Sequence, residues 1–122
     1  MEPLNHTEEQ IMQILWQLER AFVKDILEKM DDPKPPYTTV SSIVRNLETK
    51  GYVGHKAYGK THEYIPQVSR EEYGKGSLQK MLKNYFNDRT SNLLSLLMKE
   101  RDLDNEEIRE LQQLIDAKKK QP

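Results

Sequence analysis

The sequence predicts a mainly α-helical chain with one β-hairpin, divided into an N-terminal lobe over residues 1–66 and a three-helix lobe over residues 67–122. Three observations carry this expectation. Apolar residues recur at helical spacing in six separate stretches. One stretch of Tyr, Val, Thr and Ile residues flanks a Gly59-Lys60 pair, the pattern of two strands and a tight turn. The 122 residues are only 35% apolar and 32% charged, so a single copy would bury little, and a partner subunit is expected.

Thr7-Glu8-Glu9-Gln10 reads as a capping box that opens the first helix, expected over about residues 8–19. Ile11, Ile14, Leu15 and Leu18 form its apolar stripe. A short second helix follows, with Phe22, Val23, Ile26, Leu27 and Met30 on its buried face. Pro33, Pro35 and Pro36 end it, because proline lacks the N–H a helix needs. The third helix is expected from Thr38 to about residue 50, with Gly51 as its C′ residue. Val40, Ile43, Val44 and Leu47 would face inward. At 100° per residue the opposite face carries Thr38, Ser42, Arg45 and Thr49, flanked by Ser41 and Asn46. Exposed helix faces usually favour long Lys and Glu side chains. Short hydroxyls around one arginine let a helix come close to another surface.

Residues 52–58 and 61–65 read as strands, with Gly59 placed first in a two-residue II′ turn. Three helices followed by a hairpin is the order of a winged helix, whose third helix enters a DNA major groove. Ser69-Arg70-Glu71-Glu72 is a second capping box, opening a helix with Leu78, Met81, Leu82, Tyr85 and Phe86. Asn87 or Asp88 is expected to cap the next helix, which carries Leu93, Leu94, Leu97 and Met98. The last helix follows the break at Asp102-Leu103-Asp104 and carries Ile108, Leu111, Leu114 and Ile115. These three helices are too short and polar for a core of their own, and they read as a dimerisation lobe.

The formal net charge of −1 is unevenly spread. Residues 1–33 hold three basic and eight acidic side chains, a net of −5. Residues 34–66 hold five basic and two acidic side chains, a net of +3, with His55 and His62 in addition. A local basic segment is what phosphate attraction requires, since charge is screened beyond about 8–10 Å.

Other classes are disfavoured. The absence of cysteine excludes disulfides, thiolate metal sites and Cys nucleophiles. No Gly-rich phosphate loop, H-E-x-x-H or G-x-S-x-G is present. His55, His62 and Glu63 are the only candidates for a metal site, but neighbouring strand residues point to opposite faces, so His62 and Glu63 do not converge. The expectation is a protein that is not an enzyme and takes no metal or cofactor. The chain lacks a basic-then-apolar leader and any run of about 18 apolar residues, so a soluble, cytoplasmic protein without membrane insertion is expected. Two alternatives stay open. A ligand-sensing winged-helix regulator would need an aromatic-lined pocket, and Trp16, Tyr58, Tyr73, Tyr85 and Phe86 are dispersed in sequence. A winged helix that binds protein instead of DNA would show no salt-dependent DNA affinity.

The segment Tyr37-Thr38-Thr39-Val40-Ser41-Ser42-Ile43-Val44-Arg45-Asn46-Leu47-Glu48-Thr49-Lys50-Gly51-Tyr52-Val53 resembles the recognition helix of the BlaI/MecI/CopY repressors, the penicillinase and methicillin-resistance repressors and their relatives. The resemblance extends through Thr7-Glu8-Glu9-Gln10-Ile11-Met12, Ile14-Leu15-Trp16, Gly59-Lys60-Thr61-His62-Glu63-Tyr64 and Asp102-Leu103, nearly the whole chain. It implies a homodimeric repressor that binds a palindromic operator and controls antibiotic-resistance or cell-wall-stress genes. Carried onto this chain, its base-contacting positions fall at Thr38, Thr39, Ser41, Ser42 and Arg45. The wing residues Lys56, Lys60, Thr61 and His62 would meet phosphates or the minor groove. Dimer contacts would come from Leu78, Leu82, Phe86, Leu94, Leu97, Ile108, Leu111 and Ile115. Penicillinase-type members are cut by a partner membrane sensor metallopeptidase at an Asn–Phe bond. That position falls at Leu96–Leu97, where the pair is absent. The paired cysteines of copper-responsive members are absent too.

Overall fold

A computed structural model describes residues 2–121; Met1 and Pro122, the outermost residues of the two expected lobes, lie outside the described residues. The chain forms two compact units, one ending at Gly76 and the other beginning at Ser77. The boundary expected after residue 66 coincides with the end of the last strand, and the unit continues into the first turns of the following helix.

The first unit runs α1 (His6–Leu18), β1 (Ala21–Phe22), α2 (Val23–Lys29), α3 (Tyr37–Thr49), β2 (Val53–Tyr58) and β3 (Thr61–Pro66), then enters α4 (Arg70–Tyr85). The predicted helix stripes supply most of its core, joined by Met12, which lay outside them, while Ile14, Leu18, Leu27, Met30 and Ile43 are only partly buried against it. Ile11, Met12 and Leu15 of α1, Ile26 of α2, and Val40, Val44 and Leu47 of α3 are fully buried. Each such side chain contributes about 1.5–3 kcal/mol by leaving water. Val53 and Tyr64 of the sheet and Val68 beyond it complete this core. Tyr73 of α4 packs on Trp16 and Tyr52, with ring centroids 5.7 and 6.1 Å away.

The first helix starts earlier than expected. Asn5, not Thr7, is the N-cap: its side chain accepts from the Glu8 N–H at 2.8 Å, and Glu8 accepts from the Asn5 N–H at 3.0 Å. Asn is at least as good a cap as Thr, and the earlier start adds two residues to the helix. It also turns Glu8 inward. The wing is wider than the expected hairpin. Ala21 and Phe22 form a third strand, antiparallel to β3, in a sheet of order β1-β3-β2. Two residues are too few to show a period, so β1 left no pattern in the sequence. Phe22 therefore precedes α2 instead of lying on its buried face, and its N–H donates to Asp25 at 3.1 Å.

The second unit holds the rest of α4, then α5 (Thr90–Glu100) and α6 (Asn105–Lys119). None of the residues of α4, α5 or α6 is buried. Ser69 caps α4 as expected, accepting from the Glu72 N–H at 3.0 Å. Asp104 caps α6, accepting from the Glu107 N–H at 2.8 Å. Asn87 and Asp88 do not cap α5. They adopt left-handed conformations, φ 52° and 60°, and close the end of α4, with the Asp88 N–H donating to the Leu82 carbonyl at 2.9 Å. Asn and Asp tolerate this region better than other non-glycine residues. The N-cap position of α5 falls to Arg89, which makes no side-chain cap. Among the described residues, no helix is long and apolar enough to cross a membrane.

Candidate nucleic-acid interface

Helix α3 is amphipathic in the sense the interface needs. Val40, Val44 and Leu47 are fully buried, while Thr38, Thr39, Ser42, Arg45 and Thr49 are exposed on the other side. Ser41 is half-buried on the flank. Arg45 Nε makes a long contact of 3.4 Å to the Ser41 carbonyl, and Thr49 Oγ1 donates to the Arg45 carbonyl at 3.2 Å. Both contacts are local, so the guanidinium stays exposed over a face of hydroxyl groups.

The end of α3 is set by a Schellman closure. The Tyr52 N–H donates to the Leu47 carbonyl at 2.9 Å and the Gly51 N–H to the Glu48 carbonyl at 3.0 Å. Gly51 takes φ 89°, which a side chain would resist. This closure leads the chain directly into β2. At the tip of the hairpin Gly59 has φ 65°, the left-handed first position that a II′ turn requires.

The basic segment is less free than its composition suggests. Lys50 Nζ lies 2.9 Å from each oxygen of Glu8, whose residue is only 2% exposed. Asn46 Nδ2 donates to the same carboxylate at 3.2 Å. Burial alone would raise the Glu8 carboxyl, but the Asn5 N–H, Lys50 and Asn46 outweigh it and hold the group below its ordinary value. Lys34 donates to the Glu28 and Met30 carbonyls at the end of α2. Arg45, Lys56 and Lys60 remain as exposed cations on α3 and the wing. The sequence pattern carried no signal for the Glu8–Lys50 pair, because the partners are 42 positions apart and meet only when α1 packs on α3.

The wing residues divide between two faces. In the β2–β3 register Lys56 pairs with Glu63 and Tyr58 with Thr61, while His55 pairs with Tyr64 and Ala57 with His62. Lys56, Tyr58, Thr61 and Glu63 therefore share one face. There Lys56 lies over the Tyr58 ring at 5.3 Å, Phe22 packs on Tyr58 at 5.9 Å, and Arg20 reaches Glu63 at 3.9 Å. His55 and His62 occupy the other face, with ring centroids 4.0 Å apart. Lys60 stands at the exposed tip between them. The three metal-site candidates are thus split, with Glu63 opposite the histidines. Among the described residues no group of three His, Asp or Glu side chains is placed to hold a metal.

The aromatic residues of the first unit fall into two groups. Tyr58 joins Phe22, whereas Trp16 joins Tyr73 and donates from Nε1 to the Val68 carbonyl at 2.8 Å. Next to Trp16 an open cleft of about 460 Å³ is otherwise lined by Glu19, Gln67, Ser69, Arg70, Glu72 and apolar groups at Pro66 and Val68.

In the second unit Leu78, Leu97, Ile108 and Ile115 are exposed, and Leu82, Phe86, Leu94 and Leu111 are half-buried. Leu96 and Leu97 lie inside α5, in regular helix. A cleft of about 330 Å³ between α5 and α6 is lined by Leu94, Leu97, Leu111 and Leu114 with a polar border of Arg101, Glu107 and Glu110.

A family model for the penicillinase repressors matches residues 4–117. The chain belongs to the penicillinase repressor family. This is a family of transcriptional repressors and not of enzymes. The penicillinase repressor of Bacillus licheniformis is 20% identical over 121 residues, covering 95% of this chain and 91% of its own. The methicillin resistance regulatory protein MecI of Staphylococcus aureus strain N315 is 27% identical over 120 residues, covering 94% of each chain. The MecI protein of Staphylococcus epidermidis matches to the same extent. The family membership agrees with the winged-helix order of elements.

Proposed function

We propose that this protein is a homodimeric transcriptional repressor that binds a palindromic operator through α3 and the wing, and that it controls antibiotic-resistance or cell-wall-stress genes. The observation that carries this reading is the exposed face of α3. Hydroxyl residues surround Arg45 on a helix whose opposite side is locked in the core. Thr38, Thr39, Ser41, Ser42 and Arg45 would enter the major groove, with Arg45 bidentate to a guanine. Lys60 and Thr61 at the tip, Lys56 on one wing face and His62 on the other would hold the backbone.

The apolar residues left uncovered on α4, α5 and α6 support a second copy as the partner of the second unit. Two recognition helices in one dimer would then read half-sites about one DNA turn, or roughly 34 Å, apart. Repression follows from occupying the promoter. Under the same reading a membrane sensor metallopeptidase is the partner that would relieve repression. Because Leu96–Leu97 lies within α5, cleavage there would require that helix to open first.

Fluorescence anisotropy tests the reading, comparing duplex from upstream of the protein's own gene with random duplex across a salt series. Preferential upstream binding with two chains per site and a steep salt slope is expected. Equal weak binding to both would favour a winged helix that meets protein instead.

A further inference from the structure

The hairpin face that carries His55 and His62 is also tied to α3. Glu48, on α3, lies 2.7 Å from Nδ1 of His55, on β2. An ionised carboxylate only accepts, so His55 carries a hydrogen on Nδ1 and donates it. The His55 ring lies flat on the His62 ring, with centroids 4.0 Å apart and planes within 7°. The two histidines are diagonal neighbours across β2 and β3, and the small Ala57 between them in register leaves room for the rings to meet. Tyr64 stands at steep angles to both, 6.0 and 6.1 Å away. Among the described residues, Glu48–His55 is the one side-chain hydrogen bond that joins α3 to the wing strands.

We propose that Glu48 and His55 are positioning residues for operator binding: they latch the wing to the recognition helix and hold His62 in place for the DNA backbone. This rests on the repressor reading. Simultaneous engagement of a groove and the adjacent backbone needs α3 and the wing at a set separation. The Schellman closure sets the base of the hairpin, but the outer part of a two-stranded ribbon twists easily. A wing that is already latched loses less freedom on binding. The Glu48 and His55 side chains are 33% and 32% exposed, so their pairing adds little to global stability. Its effect belongs in DNA binding and not in the melting temperature.

The test compares Glu48→Gln with Glu48→Ala. Both lose the same charge, so any gain from removing a carboxylate near phosphate is common to them. Only Gln keeps an acceptor for the His55 Nδ1–H. Anisotropy on the upstream duplex should show Glu48→Ala binding about fivefold more weakly than Glu48→Gln. The two melting temperatures should agree. In NMR spectra of the DNA-free proteins, the His62 ring protons should leave their shielded, stacked position in Glu48→Ala alone. Equal affinities, an unmoved His62 signal, or a loss of affinity that tracks a lower melting temperature would each overturn the latch. Wild-type protein that failed to tell upstream from random duplex would sink the repressor reading itself. The His62 signals would then still report whether the latch forms, and a latch without discrimination would overturn its role in binding.

Discussion

Arg45 and Lys60 differ in what each can contribute to DNA binding, although both are exposed cations. Arg45 sits on the short-side-chain face of α3, so Arg45→Ala is expected to cost about 1–3 kcal/mol on the upstream duplex and less on random duplex. Unchanged anisotropy titrations would remove it from base recognition. Lys60, at the wing tip, carries charge but no fixed partner geometry, and Lys60→Ala should weaken both duplexes and reduce the salt slope by about one per subunit. A changed sequence preference would instead make the wing a reader. Lys50 belongs to a different class. Bound to the buried Glu8, it serves stability. Lys50→Met should cost about 3 kcal/mol at neutral pH by leaving a carboxylate unpaired in the interior, as measured by urea unfolding. Glu8 is held below its ordinary value of 4.5 in the folded protein. The stability it contributes is therefore present above about pH 4.5 and is lost as the pH falls through its folded value. The difference between wild type and Lys50→Met should narrow under those acidic conditions, and a gap independent of pH would mean that the pair is not its source.

Elements α1, α2 and α3 are legible because their apolar residues recur with the helical period, and α2 and α3 each end in a recognisable stop, the prolines and Gly51. The hairpin was legible from Gly59-Lys60 between strand-forming residues. Gly51 could be recognised as a C′ residue, and its φ of 89° bears this out. Gly51→Ala should destabilise the first unit by about 1–2 kcal/mol, because an L side chain is strained there. A thermal midpoint that did not fall would show that the closure relaxes at no cost. Two local rules competed where the sequence misled. Asn5 and Thr7 can each open a helix, and the choice of Asn5 accompanies the burial of Glu8 against Lys50. Asn87 and Asp88 can cap a helix or end one, and the left-handed backbone at the close of α4 took both. Strand β1 exists only because β3 lies beside it.

For the molecule as a whole, the uneven burial is the main finding. Among the described residues, every fully buried apolar residue lies in the first unit, whereas Leu78, Leu97, Ile108 and Ile115 stay exposed in the second. An apolar stripe on each of three helices with nothing buried is costly for an isolated chain and suits a subunit interface. Ile108→Glu or Leu111→Glu should yield monomers by analytical ultracentrifugation, with weak binding to the upstream duplex. A monomer that binds as tightly as wild type would refute a dimeric reading mode.

By itself the sequence determined the element types, the amphipathic character of α3 and the family, since these rest on local spacing and on an ordered set of motifs. Tertiary structure decided which charges are free and which are spent. It put Lys50 on Glu8, Lys34 on the end of α2, Glu63 beside Arg20, and His55 between Glu48 and His62. The physical reason is that periodicity says which face of an element is apolar, but a charge finds its partner only when two distant elements pack.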